Sequence, residues 1–126
     1  MNKLFLTVLL SALVVSTLSY DSLTAATRAG SLVGQSRGNY VCNQVVNYAL
    51  NGNKNGPLAK DYLNYGSRVQ TPRAGDVVVG NDGKHVGMFT SGNNFVHSSV
   101  SKYQVINANQ NQLKYVFPNG YQIRRK

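Results

Sequence analysis

The side chains of this chain that are best suited to chemistry are one cysteine, Cys42, and two histidines, His85 and His97. A thiol attacks carbonyl groups as the thiolate, and a free cysteine with a pKa of about 8.5 holds only a few per cent of that form at neutral pH. A neighbouring base, or the positive amino end of a helix, raises the fraction. These residue types therefore indicate nucleophilic catalysis by Cys42 with a histidine as base.

Both histidines fall in one predicted β-hairpin. Strands over 85–90 and 94–98 flank Ser91-Gly92-Asn93, and alternation places His85 and Gly87 on one face of the first strand. If residues whose numbers sum to 182 pair, His85 lies directly opposite His97, with Cβ atoms about 5 Å apart. A slip of one residue would send the two side chains to opposite faces. Gly87 would leave room beside the thiol.

This placement predicts a mechanism. His85 would deprotonate Cys42, the thiolate would attack an amide carbonyl, and His97 would hold the other imidazole nitrogen of His85 in place. Water would then hydrolyse the thioester. Backbone amides at the amino end of the helix that carries Cys42 would stabilise the oxyanion.

The element that must position Cys42 is an amphipathic helix. Asn39 is a suitable N-cap, and Asn51-Gly52 closes a helix that ends near Leu50. Apolar residues recur at helical spacing on the same face as the cysteine, namely Val45, Val46 and Ala49. Cys42 is thus predicted in the first turn, pointing inward.

The rest of the chain predicts helices first and strands after them. Residues 21–38 are rich in Ser, Thr, Gly and Ala and predict a loosely structured lead-in, and a short helix carrying Leu58, Tyr62 and Leu63 stops at Gly66. Short strands are predicted over 76–79, 85–90, 94–98, 103–106, 114–117 and 121–124, with a loop over 107–112. The fold class is α+β, with the Cys42 helix packed on an antiparallel sheet of about five to six strands.

Three segments resemble the NlpC-type cell-wall peptidases of the papain-like superfamily. They are the turn and strand of 72–79 (PRAGDVVV), the strand of 85–89 (HVGMF) and the segment 92–99 (GNNFVHSS). The resemblance implies a papain-like domain over residues 20–126 with Cys42, His85 and His97 as its catalytic set. It further implies a peptidase that cuts peptidoglycan stem peptides, between D-glutamate and a diamino acid, without a cofactor.

Two departures from the family pattern concern the nucleophile and the substrate cleft. The family usually shows Asp-Cys-Ser-Gly, whereas this chain has Val41-Cys42-Asn43-Gln44. A tyrosine that commonly lines the family's cleft is replaced by Gly30. The identity of the nucleophile survives, since the chain has one cysteine, but the family's substrate specificity does not carry over.

Each site residue also has a plainer interpretation. Cys42 could be a buried structural thiol, and His97 could be a surface position on a strand. Asp76 could serve as a carboxylate partner, although Gly-Asp at the start of a strand is usually turn chemistry. Cys42, His85 and His97 could instead bind a catalytic zinc ion, but no paired Cys or His-x-x-x-His spacing supports this.

Export is predicted from the first residues. Lys3 and an apolar run over 4–15 precede the small residues Thr17 and Ser19, which is typical of a signal peptide over residues 1–19. The run is shorter than the roughly 20 residues that span a bilayer; the alternative is an uncleaved membrane anchor. We therefore expect a secreted monomer with no embedded segment, extracellular or periplasmic.

The charge balance predicts anionic partners. Thirteen Lys and Arg stand against four Asp and Glu, a net charge of +9, which attracts anionic surfaces such as a microbial envelope. The cations are scattered, and the cluster at 124–126 is the densest, so nucleic acid is not expected. Two alternatives remain: a CHAP-type peptidoglycan amidase, and a non-catalytic cationic wall-binding protein or toxin. If the target is a competitor's wall, a wall-cleaving enzyme or a toxin would be antibacterial.

Overall fold

The computed structural model of this protein describes residues 21–126. The predicted signal peptide of residues 1–19 lies outside that range. The helical elements are α1 (21–31), α2 (Cys42–Asn51), α3 (Leu113–Val116) and two 3-10 helices, Ala59–Asn64 and Gln110–Gln112. The strands are β1 (Ser67–Val69), β2 (Val77–Gly80), β3 (Val86–Phe89), β4 (Asn94–Ser99), β5 (Gln104–Asn109) and β6 (Tyr121–Arg125).

The six strands form one antiparallel sheet with the order β1-β6-β2-β3-β4-β5. Strands β2 and β3 lie at its centre, and α2 packs mainly on β3 and β4. The predicted α+β class, with the cysteine helix on an antiparallel sheet, is confirmed. No helix within residues 21–126 is long and apolar enough to cross a membrane.

Both faces of the sheet are covered, which explains why β2 and β3 are buried along their whole length. One face packs against α1 and α2, and its buried side chains include Val77, Val79, Val86, Met88 and Val96. The other face packs against the α3 segment, and its buried side chains include Val78, Phe89, Phe95, Leu113 and Phe117. Continuous apolar runs such as Val77-Val78-Val79 are what a strand with two buried faces requires.

Helix α2 begins and ends close to the predicted positions. Its N-cap is Val41 and not Asn39, and the Val41 N–H donates to Oε1 of Gln44 at 3.0 Å. At the other end Gly52 adopts a left-handed φ of 73°, and its N–H donates to the Tyr48 carbonyl at 2.8 Å. A side chain at this φ would be strained, so the predicted Asn-Gly stop is physically sound.

Three predicted elements are wrong. The predicted loop of 107–112 is the end of β5 up to Asn109, followed by the 3-10 helix Gln110–Gln112. The lead-in of 21–38 is helical over 21–31, because Ala25, Ala29 and Leu32 recur at helical spacing and are buried against the core. The predicted strand of 114–117 is instead helix α3. Asn109 and Gln112 cap the turn before α3, since Asn109 Oδ1 accepts from the Asn111 N–H at 2.9 Å and Gln112 Oε1 accepts from the Asn109 N–H at 3.0 Å.

The histidine hairpin has a different register from the predicted one. Met88 pairs with Val96 and Phe89 with Phe95, so the numbers of paired residues sum to 184 and not to 182. The connection is centred on Gly92, with the Thr90 N–H donating to the Asn94 carbonyl at 3.0 Å. A shift of two residues keeps every side chain on its predicted face, because strand side chains alternate with a period of two.

Candidate active site

Cys42 occupies the first turn of α2, with 9% of its surface exposed. Its Sγ lies 3.9 Å from the carbonyl oxygen of Lys84, the residue that precedes His85. The amino end of α2 therefore meets the start of β3. This contact places the thiol beside the backbone that carries the predicted base.

His85 and His97 are in direct contact. Nε2 of His85 lies 2.9 Å from Nδ1 of His97, with the rings perpendicular and their centroids 5.1 Å apart. The sequence predicted that the two residues would lie directly opposite each other on the paired strands. They meet diagonally instead, because the register places His97 opposite Gly87. The predicted juxtaposition holds although the predicted pairing does not.

Gly87 makes room for His97 and not for the thiol. A Cβ atom built at Gly87 would lie 3.3 Å from Cβ of His97 and 2.9 Å from the Val96 carbonyl oxygen. Contacts to a Cβ atom below 3.0 Å essentially never occur. The glycine of His-Val-Gly thus allows the His97 side chain to lie over β3, where His85 can reach it.

Aromatic rings hold the two imidazoles in place. Phe117 lies 5.4 Å from the His85 ring, Phe95 lies 5.4 Å from the His97 ring, and the two phenylalanines are 6.2 Å apart, between centroids. Such contacts restrict rotation of the side chains about χ1 and χ2. Phe117 follows α3, so the misassigned segment helps to position the site.

A tight loop between β2 and β3 sets the position of His85. Oδ1 of Asp82 accepts from the Lys84 N–H at 3.0 Å and Oδ2 accepts from Nδ2 of Asn119 at 3.0 Å. These bonds, the Asn119 side chain first, lower the pKa of the Asp82 carboxyl. The Gly80 N–H donates to the His85 carbonyl at 2.9 Å and closes the loop.

Burial and nearby charge keep both imidazoles neutral. Desolvation, followed by the positive charge of Arg37, lowers the pKa of His85 to about 4. Desolvation, then His85, then Arg37 lower the pKa of His97 to about 4. Because a neutral imidazole accepts a proton and an imidazolium does not, the pair is in its basic form at neutral pH.

Arg37 is a site residue that the sequence analysis did not single out. Its Nη1 donates to the Ser98 carbonyl at 2.6 Å and lies 3.3 Å from Ser98 Oγ. This fixes its cationic group beside the histidine pair. Nothing in the local sequence marks it, because it comes from the turn before α2 while the histidines come from the sheet.

The plainer interpretations of the site residues have different outcomes. His97 is only 4% exposed, so it is not a surface position. Asp76 accepts from Nε and Nη2 of Arg125, both at 2.8 Å, and from the Arg73 N–H at 2.8 Å. Asp76 therefore serves the turn and the carboxyl-terminal strand and is no partner of a histidine, as Gly-Asp chemistry predicts.

The zinc alternative gains no support from the geometry. Within residues 21–126, no group of three or more His, Cys, Asp or Glu side chains is arranged to hold a metal ion. One imidazole nitrogen from each histidine is already engaged in the contact between them. The arrangement suits proton transfer between neighbouring side chains.

The amino end of α2 also offers donors to an oxyanion. The amides of Gln44 and Val45 donate to the Val41 carbonyl at 3.0 and 3.2 Å. The amides of Cys42 and Asn43 precede them in the first turn, where a helix leaves its N–H groups without acceptors inside the helix. An oxygen on a carbon bonded to Sγ would lie close to these amides, at the positive end of the helix.

Within residues 21–126, the hydrogen bond of the Cys42 thiol is to the Lys84 carbonyl, and the two imidazoles contact each other. Known proteins share this fold. A P60 domain of an antigen from M. avium subspecies paratuberculosis superposes with a TM-score of 0.64 and 18% identity, over 84% of this chain and 95% of that one. This chain has an NlpC/P60-type fold.

Two Trichomonas vaginalis structures superpose on the same NlpC/P60-type fold. NlpC1 gives a TM-score of 0.66 with 22% identity, over 83% of this chain and 44% of that one. NlpC2 gives a TM-score of 0.62 with 21% identity, over 83% of this chain and 46% of that one. The chain thus spans less than half the length of either. No family model and no curated protein matches the sequence.

Proposed function

We propose that this protein is a secreted cysteine hydrolase that cuts amide bonds in peptidoglycan stem peptides, with Cys42 as nucleophile. The observation that carries the proposal is the 2.9 Å contact between His85 Nε2 and His97 Nδ1, at the start of the strand whose preceding carbonyl, that of Lys84, touches the thiol. These contacts support a catalytic set in which Cys42 would act as nucleophile, His85 as base and His97 as orienting group.

The proposed mechanism requires one pair of tautomers for the two histidines. For His85 to accept the thiol proton at Nδ1, its own proton must sit on Nε2 and be donated to Nδ1 of His97. His97 then carries its proton on Nε2. The lowered pKa values of about 4 keep both rings neutral and therefore able to hold this arrangement at neutral pH.

The reaction proceeds through a thioester. Sγ of Cys42 loses its proton to Nδ1 of His85 and bonds to the amide carbon, and the oxyanion is held by the Cys42 and Asn43 amides. His85 returns the proton to the departing amine, which leaves as the C–N bond breaks. A water molecule, deprotonated by the same nitrogen, then attacks the thioester and releases the acid and the free thiol.

Three observations support a wall peptide as substrate. The fold is shared with the P60 domain and the two NlpC structures, and the resemblance of the His-Val-Gly and Phe-Val-His strands implies stem-peptide cleavage. The net charge of +9 favours an anionic envelope. The predicted signal peptide would export the enzyme. The D-glutamyl-diamino acid bond is the expected target.

Digestion of purified peptidoglycan tests the proposal. Wild type and Cys42→Ala are incubated with walls of several chemistries under reducing conditions, and the released fragments are identified by mass spectrometry. Fragments cut inside the stem, seen with wild type alone, are the expected result. Fragments that begin with a free L-alanine would instead identify a CHAP-type amidase.

The second candidate is a non-catalytic cationic wall-binding protein, favoured by the missing Asp-Cys-Ser-Gly context around Cys42. It predicts that neither protein releases fragments while both sediment equally with the walls. Charge reversal at Arg124 or Arg125 does not test it cleanly. Arg125 bonds Asp76, and Nε of Arg124 donates to the Tyr65 carbonyl at 2.8 Å, so both variants would also disturb the fold.

A further inference from the structure

A cavity of about 600 Å³ adjoins the histidine pair. Its lining includes His85 and His97 but not Cys42, and it extends from the 82–85 loop to the α3 segment and the turn after β4. Much of the wall is apolar, with contributions from Ile106, Tyr115 and Phe117. The proposed chemistry at the thiol does not require this space.

One polar atom at this cavity has no partner. Nε2 of His97 is buried and makes no hydrogen bond to any group in residues 21–126, and the residue as a whole is 4% exposed. The tautomers that the proposed mechanism requires make this atom an N–H donor, so the inference rests on the proposed function at this step. A buried donor without an acceptor destabilises the protein, so the arrangement favours an acceptor that enters from the cavity.

The charges that line the cavity specify the kind of acceptor. Arg37, Lys84 and Lys102 contribute to the lining, and within residues 21–126 the hydrogen bonds of the Arg37 guanidinium use Nη1 alone. Its remaining N–H groups stay available to a ligand. The acidic lining residue, Asp82, already accepts from Asn119 and Lys84. The site is therefore one for an anion.

We propose that this cavity binds a small carboxylate with an apolar body. The carboxylate accepts hydrogen bonds from His97 Nε2–H and from Arg37, while the apolar part packs against Ile106 and Phe117. A planar carboxylate matches a guanidinium in geometry as well as in charge. Such a group could be the carboxyl terminus of a peptide or a free organic acid.

Binding is measured on Cys42→Ala, so the outcome does not depend on hydrolysis. The protein, with ¹⁵N-labelled histidine side chains, is titrated with 3-phenylpropionate and with its neutral amide. We expect saturable binding of the acid with a dissociation constant on the order of 1 mM, a shift of the His97 Nε2 resonance, and binding of the amide at least tenfold weaker. Equal binding of the acid and the amide would overturn the proposal. So would a titration with the acid that does not saturate by about 20 mM, which is 20 times the expected dissociation constant.

Charge variants locate the site. Lys102→Glu should weaken binding of 3-phenylpropionate about fivefold, because Lys102 lies at the exposed rim. Arg68→Glu makes the same change of charge on β1, at the far edge of the sheet, and should leave binding unchanged. Equal weakening by both would show a general charge effect and would contradict a site at this cavity.

A second titration separates the two sources of the carboxylate. Acetyl-Ala-Ala-Phe with a free carboxyl terminus is compared with the same peptide amidated at that end. If the free peptide shifts His97 Nε2 at concentrations similar to 3-phenylpropionate, the cavity accepts peptide termini. If only the small acid does so, the ligand is a free organic acid. If neither compound moves the resonance, the site does not exist.

Discussion

Gly87 and His97 are packed so closely across the hairpin that a Cβ atom at residue 87 would lie 3.3 Å from Cβ of His97 and 2.9 Å from the Val96 carbonyl oxygen. The second contact involves backbone of the paired interior strands β3 and β4, which cannot move without disturbing the sheet. The position of the His97 ring, and with it the contact to His85, therefore depends on the absence of a side chain at residue 87.

Gly87→Ala should impair the site more than the fold. The added methyl group must displace β4 or the His97 side chain, which lengthens the contact between the histidines. We expect kcat on wall peptides to fall at least tenfold and the free energy of unfolding to fall by about 1–3 kcal/mol. Assays of released peptide and urea denaturation measure the two effects.

Gly92→Ala is the matched control. Gly92 lies in the turn of the same hairpin, and a Cβ atom there would have the Pro72 carbonyl oxygen as its nearest contact, at 3.4 Å. The substitution should leave kcat unchanged and alter stability by less than about 0.5 kcal/mol. If Gly87→Ala kept full activity, the close packing of residue 87 against His97 would have no bearing on the site.

His97→Asn should retain more activity than His97→Leu. Nδ1 of the imidazole is the atom that contacts His85, and Oδ1 of asparagine lies at nearly the same distance from the backbone and accepts a hydrogen bond. Leucine fills the space without an acceptor. We expect kcat to fall about tenfold for asparagine and about 100-fold for leucine.

The measurement that separates this positioning role from a merely structural one is the split between kcat and KM. Loss of orientation should lower kcat and leave KM nearly constant, whereas a distorted cleft would raise KM as well. Thermal melting of both variants checks the fold. Equal activity of the asparagine and leucine variants would contradict the proposed acceptor role of His97.

The histidine pair could be predicted from the sequence because both residues lie in one hairpin. A short turn ties two strands together, and the period of two fixes which side chains share a face, so even a register error of two residues preserved the juxtaposition. Helix α2 was predictable for a similar reason, since Val45, Val46 and Ala49 repeat at helical spacing and Gly52 stops the chain.

The parts of the site that come from distant segments could not be predicted in this way. Arg37 and Phe117 reach the histidines from opposite ends of the described chain, and no local periodicity records such contacts. Helix α3 was taken for a strand because Tyr115, Val116 and Phe117 favour strands, while the capping pair Asn109 and Gln112 favoured a helical turn. Tertiary packing decided between the two preferences.

Arg125 should stabilise the fold without taking part in catalysis. Its guanidinium binds both oxygens of Asp76, whose side chain is 3% exposed. Arg125→Met leaves that buried carboxylate with a hydrogen bond from the Arg73 N–H. Because an unpaired buried charge is costly, we expect the free energy of unfolding in urea to fall by about 3 kcal/mol.

Arg68→Met is the control for this change, since Arg68 is exposed on the edge strand β1 and its loss should alter stability by less than about 0.5 kcal/mol. Both variants should keep wild-type kcat at a temperature where they are folded. A loss of less than about 1 kcal/mol for Arg125→Met would show that the pair contributes no more than an exposed one.

The stability of the protein should fall in acid because of the histidine pair. The pKa of each ring is lowered from 6.5 to about 4 in the folded protein. Between these values the unfolded chain binds protons that the folded chain does not, so the contribution to stability is present above pH 6.5 and is lost as the pH falls toward 4. The expected slope is about 1.4 kcal/mol per pH unit for each histidine.

Urea denaturation between pH 6.5 and 5.0 isolates this effect, because carboxyl groups ordinarily have pKa values of about 4, below that range. The change in unfolding free energy per pH unit should be smaller in His97→Asn. That variant lacks one of the two buried imidazoles and the burial that this ring gives to the other. The same lowered pKa values predict that kcat/KM stays high down to about pH 5, since the base remains neutral there. Two outcomes would contradict this prediction: an activity that halves near pH 6.5, or the same dependence of unfolding free energy on pH in wild type and His97→Asn. Either would show that the two rings are protonated as in water and that burial does not keep them neutral.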